Sequence, residues 1–231
     1  KEIILEDLFS NNSDYLNRNE LDTILNDYIY EFDTLESITI AYAPEYNKSG
    51  DSRTIYHFKN KAISQELHPA EYQYLDWFQI PYELKSKCWT DPWYDASSTK
   101  QTVISYCVPI FIKGNCIGVM RFDTKLSGLQ RIVSPLKLKR SGYAFLVSSI
   151  GTIITHPADS ISFNESIFSL AEETKDTQLR ELGKKMIQGE TDFIRLRGNT
   201  IFNDSWRYFS PLLSNNWPPR IVIAHKDVVR D

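Results

Sequence analysis

The chain has 231 residues, of which 42% are hydrophobic, and its 26 basic and 30 acidic side chains give a formal charge of -4. This composition can bury one large core or two modest ones, and it excludes an intrinsically disordered chain. A net negative chain without a basic run offers little to a phosphate backbone, so we expect no nucleic-acid partner. No stretch approaches the roughly 18–20 consecutive apolar residues of a membrane helix. We therefore expect contact with a membrane only through segments that this chain lacks.

The first residue is Lys1 rather than Met, and no signal peptide follows it. This start predicts a piece of a longer protein, cut away from flanking membrane segments.

The three cysteines are an odd number without CxxC spacing, which argues against a disulfide framework and against a zinc site. Cys107 and Cys116 lie on adjoining strand-like runs, and a short turn at 113–115 would place Cys116 opposite Phe111 or Ile112. We therefore expect Cys107 and Cys116 to be unbonded to each other, and Cys88 to be free as well.

The predicted elements begin with a helix. Its apolar stripe follows the helical spacing i, i+3, i+4, i+7, i+8 and i+11, at Leu21, Ile24, Leu25, Tyr28, Ile29 and Phe32. From residue 37 the period changes to two, which predicts a strand pair at 37–42 and 53–58. A second hairpin is predicted from 102–112 and 116–123, followed by a short helix at 126–133.

The second half repeats this order. Strands are predicted at 142–148 and 152–155, a helical stretch at 165–188, and strands at 192–196, 206–212 and 220–224. The pattern predicts an α+β fold of two modules with antiparallel sheets. We place an N-terminal helical segment at 1–34, a first module at 35–134 and a second at 135–231.

Residues 71–94 contain eight aromatic side chains in 24 residues, against 22 in the other 207. Without a helical or strand period, and with Pro81 and Pro92, this density predicts a loop-rich wall. One interpretation is simple packing of a long loop on the sheet. The other is a ligand pocket, since aromatic rings with a few fixed carboxylates suit an amine or another small polar ligand.

Two carboxylates follow directly on aromatic or apolar runs. Asp95 directly follows Trp93 and Tyr94, and Asp123 ends an otherwise apolar strand. Asp123 could cap the helix that follows it. Alternatively, Asp95 and Asp123 both accept hydrogen bonds from one ligand amine.

Catalysis and metal binding have little support in the sequence. The four histidines are scattered and lack HxxxH or HxH spacing, and neither a GxSxG elbow nor a phosphate-binding loop is present. We expect no catalytic residue, no metal and no cofactor in this chain.

Several segments together resemble the double Cache family. They are 76–81 (DWFQIP), 89–95 (WTDPWYD), 105–110 (SYCVPI), 118–123 (GVMRFD), 142–147 (GYAFLV), 151–157 (GTIITHP) and 206–212 (WRYFSPL). Their order and spacing extend the resemblance over about 35–225. The resemblance implies two PAS-like modules stacked along a long N-terminal helix, with the first module distal and the second proximal to the membrane. It also implies the extracytoplasmic sensor domain of a prokaryotic transmembrane receptor, homodimeric in the full-length protein.

Family members transmit signals to the output domains of histidine kinases, chemoreceptors, phosphatases or cyclic-nucleotide enzymes. The sequence around Trp77, Phe78 and 92–95 most resembles the sensors of kinases and phosphatases. We expect a histidine kinase as the output. The chain itself is then a ligand-binding sensor without enzymatic activity, and the alternative is a structural or interaction module whose pocket is vestigial.

Amino-acid-binding members of the family carry an Arg, aromatic rings and two Asp residues at the ligand. Matched position by position, this chain has Leu75 for the Arg, Trp77 and Phe78 for the first rings, Trp93 for a Tyr, and Asp95 and Asp123 for the carboxylates. The half of the motif that faces an amine is retained, and the Arg that would bind an α-carboxylate is lost. We expect Trp77, Trp93, Asp95, Tyr106 and Asp123 to converge on one cavity of the first module.

Overall fold

The computed structural model describes residues 18–46, 55–58, 69–96, 100–136, 142–158, 161, 165–196, 205–211 and 220–225. Residues 1–17, the start of the predicted N-terminal segment, lie outside this part. The elements of the first half are α1 (Arg18–Glu31), β1 (Leu35–Tyr42), β2 (Ile55–Phe58), α2 (Pro69–Tyr72), α3 (Asp76–Leu84), β3 (Cys88–Trp89), β4 (Trp93–Asp95), β5 (Gln101–Ile112) and β6 (Asn115–Lys125). None of the helices in the described ranges has the length and apolar character needed to cross a membrane.

The second half contains α4 (Leu126–Val133), β7 (Tyr143–Val147), β8 (Ile153–Thr155), α5 (Ile167–Glu173), α6 (Thr177–Ile187), β9 (Asp192–Leu196), β10 (Ser205–Pro211) and β11 (Arg220–His225). The strands form two separate sheets. The first has the order β2-β1-β6-β5-β3, with β4 also paired to β5, and the second has the order β8-β7-β11-β10-β9. Every pairing is antiparallel, so the predicted α+β class with antiparallel sheets is confirmed.

Helix α1 covers one face of the first sheet. Leu25 and Ile29 of its predicted stripe are fully buried against Ile38, Ile40 and Met120, which point to this face from β1 and β6. Because side chains alternate along a strand, the residues between them point to the opposite face, where a second cluster contains Ala41, Ala43, Tyr72, Trp77, Phe78, Cys107 and Val119. The first sheet therefore separates a helix face from an aromatic face.

The aromatic segment is more regular than the sequence suggested. Instead of a loop-rich wall, α3 runs from Asp76 to Leu84 and ends at Lys85, which has a left-handed φ of 51°. Pro81 lies inside the helix and is buried with Trp77 and Phe78. The spacing i, i+1, i+4 of these three residues is a helical signal, and Pro81 masked it because proline usually ends a helix.

The β5–β6 hairpin turns through two residues with positive φ, Lys113 at 49° and Gly114 at 81°. Asn115 already pairs with Ile112, so the loop is one residue shorter than predicted. Cys116 lies opposite Phe111, as predicted, and all three cysteines are free thiols. The prediction that Cys107 and Cys116 are not bonded to each other is confirmed.

The predicted helical stretch of the second half consists of two helices. The break lies between α5 and α6, where Lys175 adopts a φ of 53° and the Asp176 carboxylate accepts a hydrogen bond from the Leu179 amide at 2.9 Å. This bond caps α6 and satisfies one of the free amides at its start. The two helices pack on the second sheet through a core that includes Phe145, Ile153, Leu170, Leu179, Leu182, Met186, Phe209 and Val222.

The chain divides into two compact units at Lys125 and Leu126. This boundary precedes the predicted one at residue 134 because α4 packs on β7 and β8 of the second sheet. The amide of Gln130 in α4 also donates a hydrogen bond to the His156 carbonyl at 2.9 Å. The short helix thus belongs to the second module.

Candidate functional site

The centre of the aromatic face is the Asp123 carboxylate, which is fully buried on β6. In the register of the sheet, Asp123 lies opposite Ser37 of β1 and Ser105 of β5. The Ser37 hydroxyl donates to Oδ2 and the Ser105 hydroxyl donates to Oδ1, each at 2.6 Å. Three neighbouring strands therefore fix this carboxylate, and both of its oxygens accept hydrogen bonds.

Arg121 provides the counter-ion. It lies two residues before Asp123 on the same face of β6, and its Nη2 and Nε atoms lie 2.9 Å and 3.2 Å from Asp123 Oδ2. The Arg121 side chain is 1% exposed and the Asp123 side chain 0% exposed. In such a water-excluded place each charge depends on the other, because an isolated buried charge is strongly unfavourable.

Two indole rings flank the guanidinium. Its Cζ atom lies 4.4 Å from the ring centroid of Trp77 and 4.9 Å from that of Trp93, both within the range of a cation–π interaction. Trp93 is held in place because its Nε1 donates to the Ser105 hydroxyl at 2.9 Å. The rings, the carboxylate and the two serines together form what we call the cation cage, consisting of Trp77, Trp93, Ser37, Ser105 and Asp123.

Among the residues that the structure describes, two buried polar atoms beside the cage have no hydrogen-bond partner. They are Nε1 of Trp77, which can only donate, and the hydroxyl of Thr39, which lies opposite Arg121 on β1. Leaving such atoms unsatisfied is costly inside a protein, so they mark a place where a polar group of a ligand or a water would be stabilised.

Residues 21–131 match the family model described as methyl-accepting chemotaxis protein-like, first PDC sensor domain. The match covers 111 of the 231 residues, so this part of the chain is similar to a PDC sensor domain. The predicted double Cache resemblance and the extracytoplasmic localisation are thereby confirmed.

The chain is also similar to several named proteins. The chemotaxis protein McpC of Bacillus subtilis is 29% identical over 119 residues, which are 50% of this chain and 18% of McpC. The extracellular domain of mmHK1S-Z3, a protein assigned as a histidine kinase, superposes with a TM-score of 0.73 at 17% identity, over 90% of this chain and 79% of that domain. The ligand-binding domain of the Pseudomonas aeruginosa amino acid chemoreceptor PctC, solved with GABA, has a TM-score of 0.63 at 20% identity, over 97% of this chain and 89% of that domain. These two structures share the fold.

The structure brings three of the five predicted site residues together, Trp77, Trp93 and Asp123. The expectation that Tyr106 joins them is wrong. Tyr106 lies opposite Phe122, on the helix face of the sheet, and its ring packs on Trp89 with centroids 5.0 Å apart. Because side chains alternate along β5, the neighbour that reaches Asp123 is Ser105.

Asp95 is buried on the same face as Asp123 but at a different position along it. It pairs with Gln101, four residues before Ser105 on β5, which corresponds to about 13 Å along the strand. One ammonium group cannot contact both carboxylates at this separation. The interpretation in which Asp95 and Asp123 share one amine does not agree with this register.

The sequence analysis missed Arg121, the counter-ion of Asp123. The signal was available, since Arg121 and Asp123 are charged residues at period two in an otherwise apolar strand. Such spacing places both on one face. In the part of the chain that the structure describes, no three His, Cys, Asp or Glu side chains are grouped as metal ligands.

The second module has a buried titratable group of its own. His156 is 5% exposed, and its ring packs edge-on against Tyr143 and Phe145 with centroids 5.3 Å away. Its Nδ1 accepts a hydrogen bond from the Ala158 amide at 3.0 Å, which requires that this nitrogen carry no proton. Burial lowers the pKa of His156 to about 4 from its usual 6.5.

We expect His156 to make the second module less stable in acid. Between pH 6.5 and about 4, His156 is protonated in the unfolded chain but neutral in the native state. The free energy of unfolding is therefore highest above pH 6.5 and falls as the pH is lowered. The expected loss is roughly 3 kcal/mol at pH 4. The measurement is urea denaturation from pH 7.5 to 4 for the wild type and for His156→Asn, whose amide oxygen can replace Nδ1. A free-energy difference between them that does not change with pH would contradict the assignment.

Proposed function

We propose that this chain senses a small organic amine outside the cytoplasm for a transmembrane receptor, and that the amine binds in the cation cage of the first module. The observation that supports this proposal is the arrangement around Arg121. Two indole rings and a carboxylate held by two serine hydroxyls already enclose a cation, so the cage is complementary to positive charge.

An amine ligand has to displace Arg121 from Asp123, because the ammonium group and the guanidinium would bind the same carboxylate oxygens. Ligand binding and displacement of the guanidinium are then one event, which gives the site two states. The amine would gain the Asp123 contact and the two rings, while a polar part of the ligand can accept a hydrogen bond from Nε1 of Trp77. The bound amino compound in the PctC structure belongs to that protein, and it guides the choice of compounds to screen first.

A second candidate function is supported by the burial of Arg121. With 1% of its side chain exposed, Arg121 could fill the cage permanently, which would make the module a structural or interaction element with a vestigial pocket. The two candidates differ in one respect. A sensor cage exchanges Arg121 for an external cation, and a vestigial cage does not.

The test is a thermal-shift screen of amines and small guanidines on the wild type and on Arg121→Ala, followed by calorimetric titration. If the cage is a sensor site, the wild-type protein binds one of these amines. A ligand at 100 times its dissociation constant adds about 2.7 kcal/mol to the free energy of unfolding. A vestigial cage responds only in Arg121→Ala, where an external guanidinium can refill the site. Absence of binding to the wild type at millimolar amine would therefore overturn the sensor proposal.

Asp123→Asn is expected to weaken the amine found in this screen by about 2–4 kcal/mol, or roughly 30- to 1000-fold, because the amine loses its charged partner. Calorimetric titration measures the loss. Asp95→Asn is the matched control, since Asp95 is equally buried on the same face but about 13 Å away along the strand. The affinity of Asp95→Asn for the amine should stay within twofold of the wild-type affinity. Equal losses in both variants would contradict binding at Asp123 alone.

We further propose a histidine kinase as the output and a homodimer as the full-length form. The structural similarity to the mmHK1S-Z3 domain supports the first proposal, whereas the identity with McpC favours a chemoreceptor. Incubating the full-length protein with labelled ATP distinguishes them, because only a kinase phosphorylates its own histidine.

A further inference from the structure

Cys88 and Cys107 lie directly opposite each other on neighbouring antiparallel strands, β3 and β5. Residues in this position have Cα atoms about 4.5–5.5 Å apart, which falls inside the range of about 4.4–6.8 Å seen in disulfides. Both side chains leave the sheet on the aromatic face, because opposite residues share a face.

The surroundings of the two thiols differ in a useful way. Cys107 is fully buried, and Cys88 is half-buried and reachable from solvent. The hydrogen bond from Cys107 lowers the pKa of the Cys88 thiol, whereas burial raises the pKa of Cys107. Cys88 is thus the more accessible and the more readily ionised thiol, and a thiolate is the form that attacks a disulfide.

We propose that Cys88 and Cys107 form a cross-strand disulfide in the extracytoplasmic compartment, where it fastens β3 to β5 beside the cation cage. This compartment contains disulfide oxidants, and it keeps cysteine pairs oxidised that would stay reduced in the cytosol. The crosslink would lie next to Arg121, since Cys107 also pairs with Arg121 across β5 and β6.

The reaction is thiol–disulfide exchange with a low-molecular-weight or protein disulfide as the oxidant. The Cys88 thiolate attacks one sulfur of the donor, which forms a mixed disulfide and releases the first donor thiolate. The Cys107 thiol then loses its proton and displaces the second donor thiolate from Cys88. In total two protein thiols lose two protons and two electrons, and the donor disulfide is reduced to two thiols.

Cys116 serves as an internal control for this reaction. It lies opposite Phe111 near the hairpin turn, and its thiol donates a hydrogen bond to the Gly118 carbonyl at 3.5 Å. Phe111 and Cys107 are four residues apart on β5, or about 13 Å, so neither member of the pair can bond to Cys116 without unfolding.

The experiment treats the native, reduced chain with oxidised glutathione, counts free thiols under denaturing conditions and maps the peptides by mass spectrometry. We expect the thiol count to fall from the three of the sequence to one, with the peptides of Cys88 and Cys107 linked. The melting temperature should rise by about 6–10 °C, as expected for closing a loop of this length. Cys116→Ser should form the same link and retain no free thiol.

Three retained thiols, a stable glutathione adduct on Cys88, or a link to Cys116 would each overturn the proposal. Cys88→Ser and Cys107→Ser test the pairing separately. Each variant keeps two free thiols, and we expect neither to form an intramolecular bond under the same oxidant. Because amine binding does not enter this experiment, its failure would leave the proposed sensor function unaffected.

Discussion

Arg121→Ala is expected to lower the free energy of unfolding of the first module by about 3–5 kcal/mol. The substitution leaves the Asp123 carboxylate fully buried without its counter-ion, and it empties the space between two indole rings. The cost of an uncompensated buried charge exceeds that of most single substitutions. Urea denaturation followed by tryptophan fluorescence measures the loss, since three of the five tryptophans lie in this module.

The matched control is Lys125→Ala, at the end of the same strand. Lys125 forms an ion pair with Glu36 at 2.6 Å, but both side chains are partly exposed to solvent. Such pairs contribute about 0–1 kcal/mol because water already stabilises each charge. Similar losses for Arg121→Ala and Lys125→Ala would show that the Arg121–Asp123 pair is not the buried, mutually dependent pair that the structure describes.

Gly118→Ala is expected to destabilise the first module by about 3 kcal/mol or more. A methyl group on Gly118 would lie 2.2 Å from the Ala41 carbonyl oxygen and 2.9 Å from the Tyr42 Cα atom. Both are backbone atoms of β1, so no side-chain rotation can relieve the clash and the two strands must separate. Since β1 carries Ser37 and β6 carries Asp123, their separation would also weaken the cation cage.

Gly114→Ala provides the comparison for this variant. Gly114 lies in the hairpin turn of the same strand pair, with a φ of 81° and no atom within 4 Å of the added methyl group. Only the strain of the left-handed backbone remains, which is about 1 kcal/mol. Denaturation of both variants tests the difference. If Gly118→Ala were as mild as Gly114→Ala, close packing of β1 on β6 would not be the reason for a glycine at position 118.

The module architecture could be predicted from the sequence because it depends on local periodicity. The stripe of α1 placed Leu25 and Ile29 in the core, and the alternation in β5 and β6 gave the hairpin and the position of Cys116 opposite Phe111. These patterns are repeated over many residues, so each residue supports the assignment of its neighbours. The antiparallel sheets followed from the short connection between β5 and β6, which only a hairpin can make.

The site was only partly predictable because its members come from separate segments. Sequence alone indicated Trp77, Trp93 and Asp123 as site residues, but it placed Tyr106 on the aromatic face and Asp95 at the same amine. The register between β5 and β6 decides which side chains of β5 lie next to Asp123. A shift of the register by one residue moves every side chain of a strand to the opposite face of the sheet. Register is decided by the whole sheet.

Tertiary structure alone decided the partner of Asp123. The Arg121 guanidinium contacts this carboxylate and lies between a ring from α3 and a ring from β4, although those rings are at least 28 positions away in the chain. Such an arrangement exists only after α3 has packed on the sheet and excluded water, because in water the guanidinium and the carboxylate would each remain hydrated. The amino-acid sequence therefore indicated that Trp77, Trp93 and Asp123 lie together, and folding determined that Arg121 of the same chain is the cation between them.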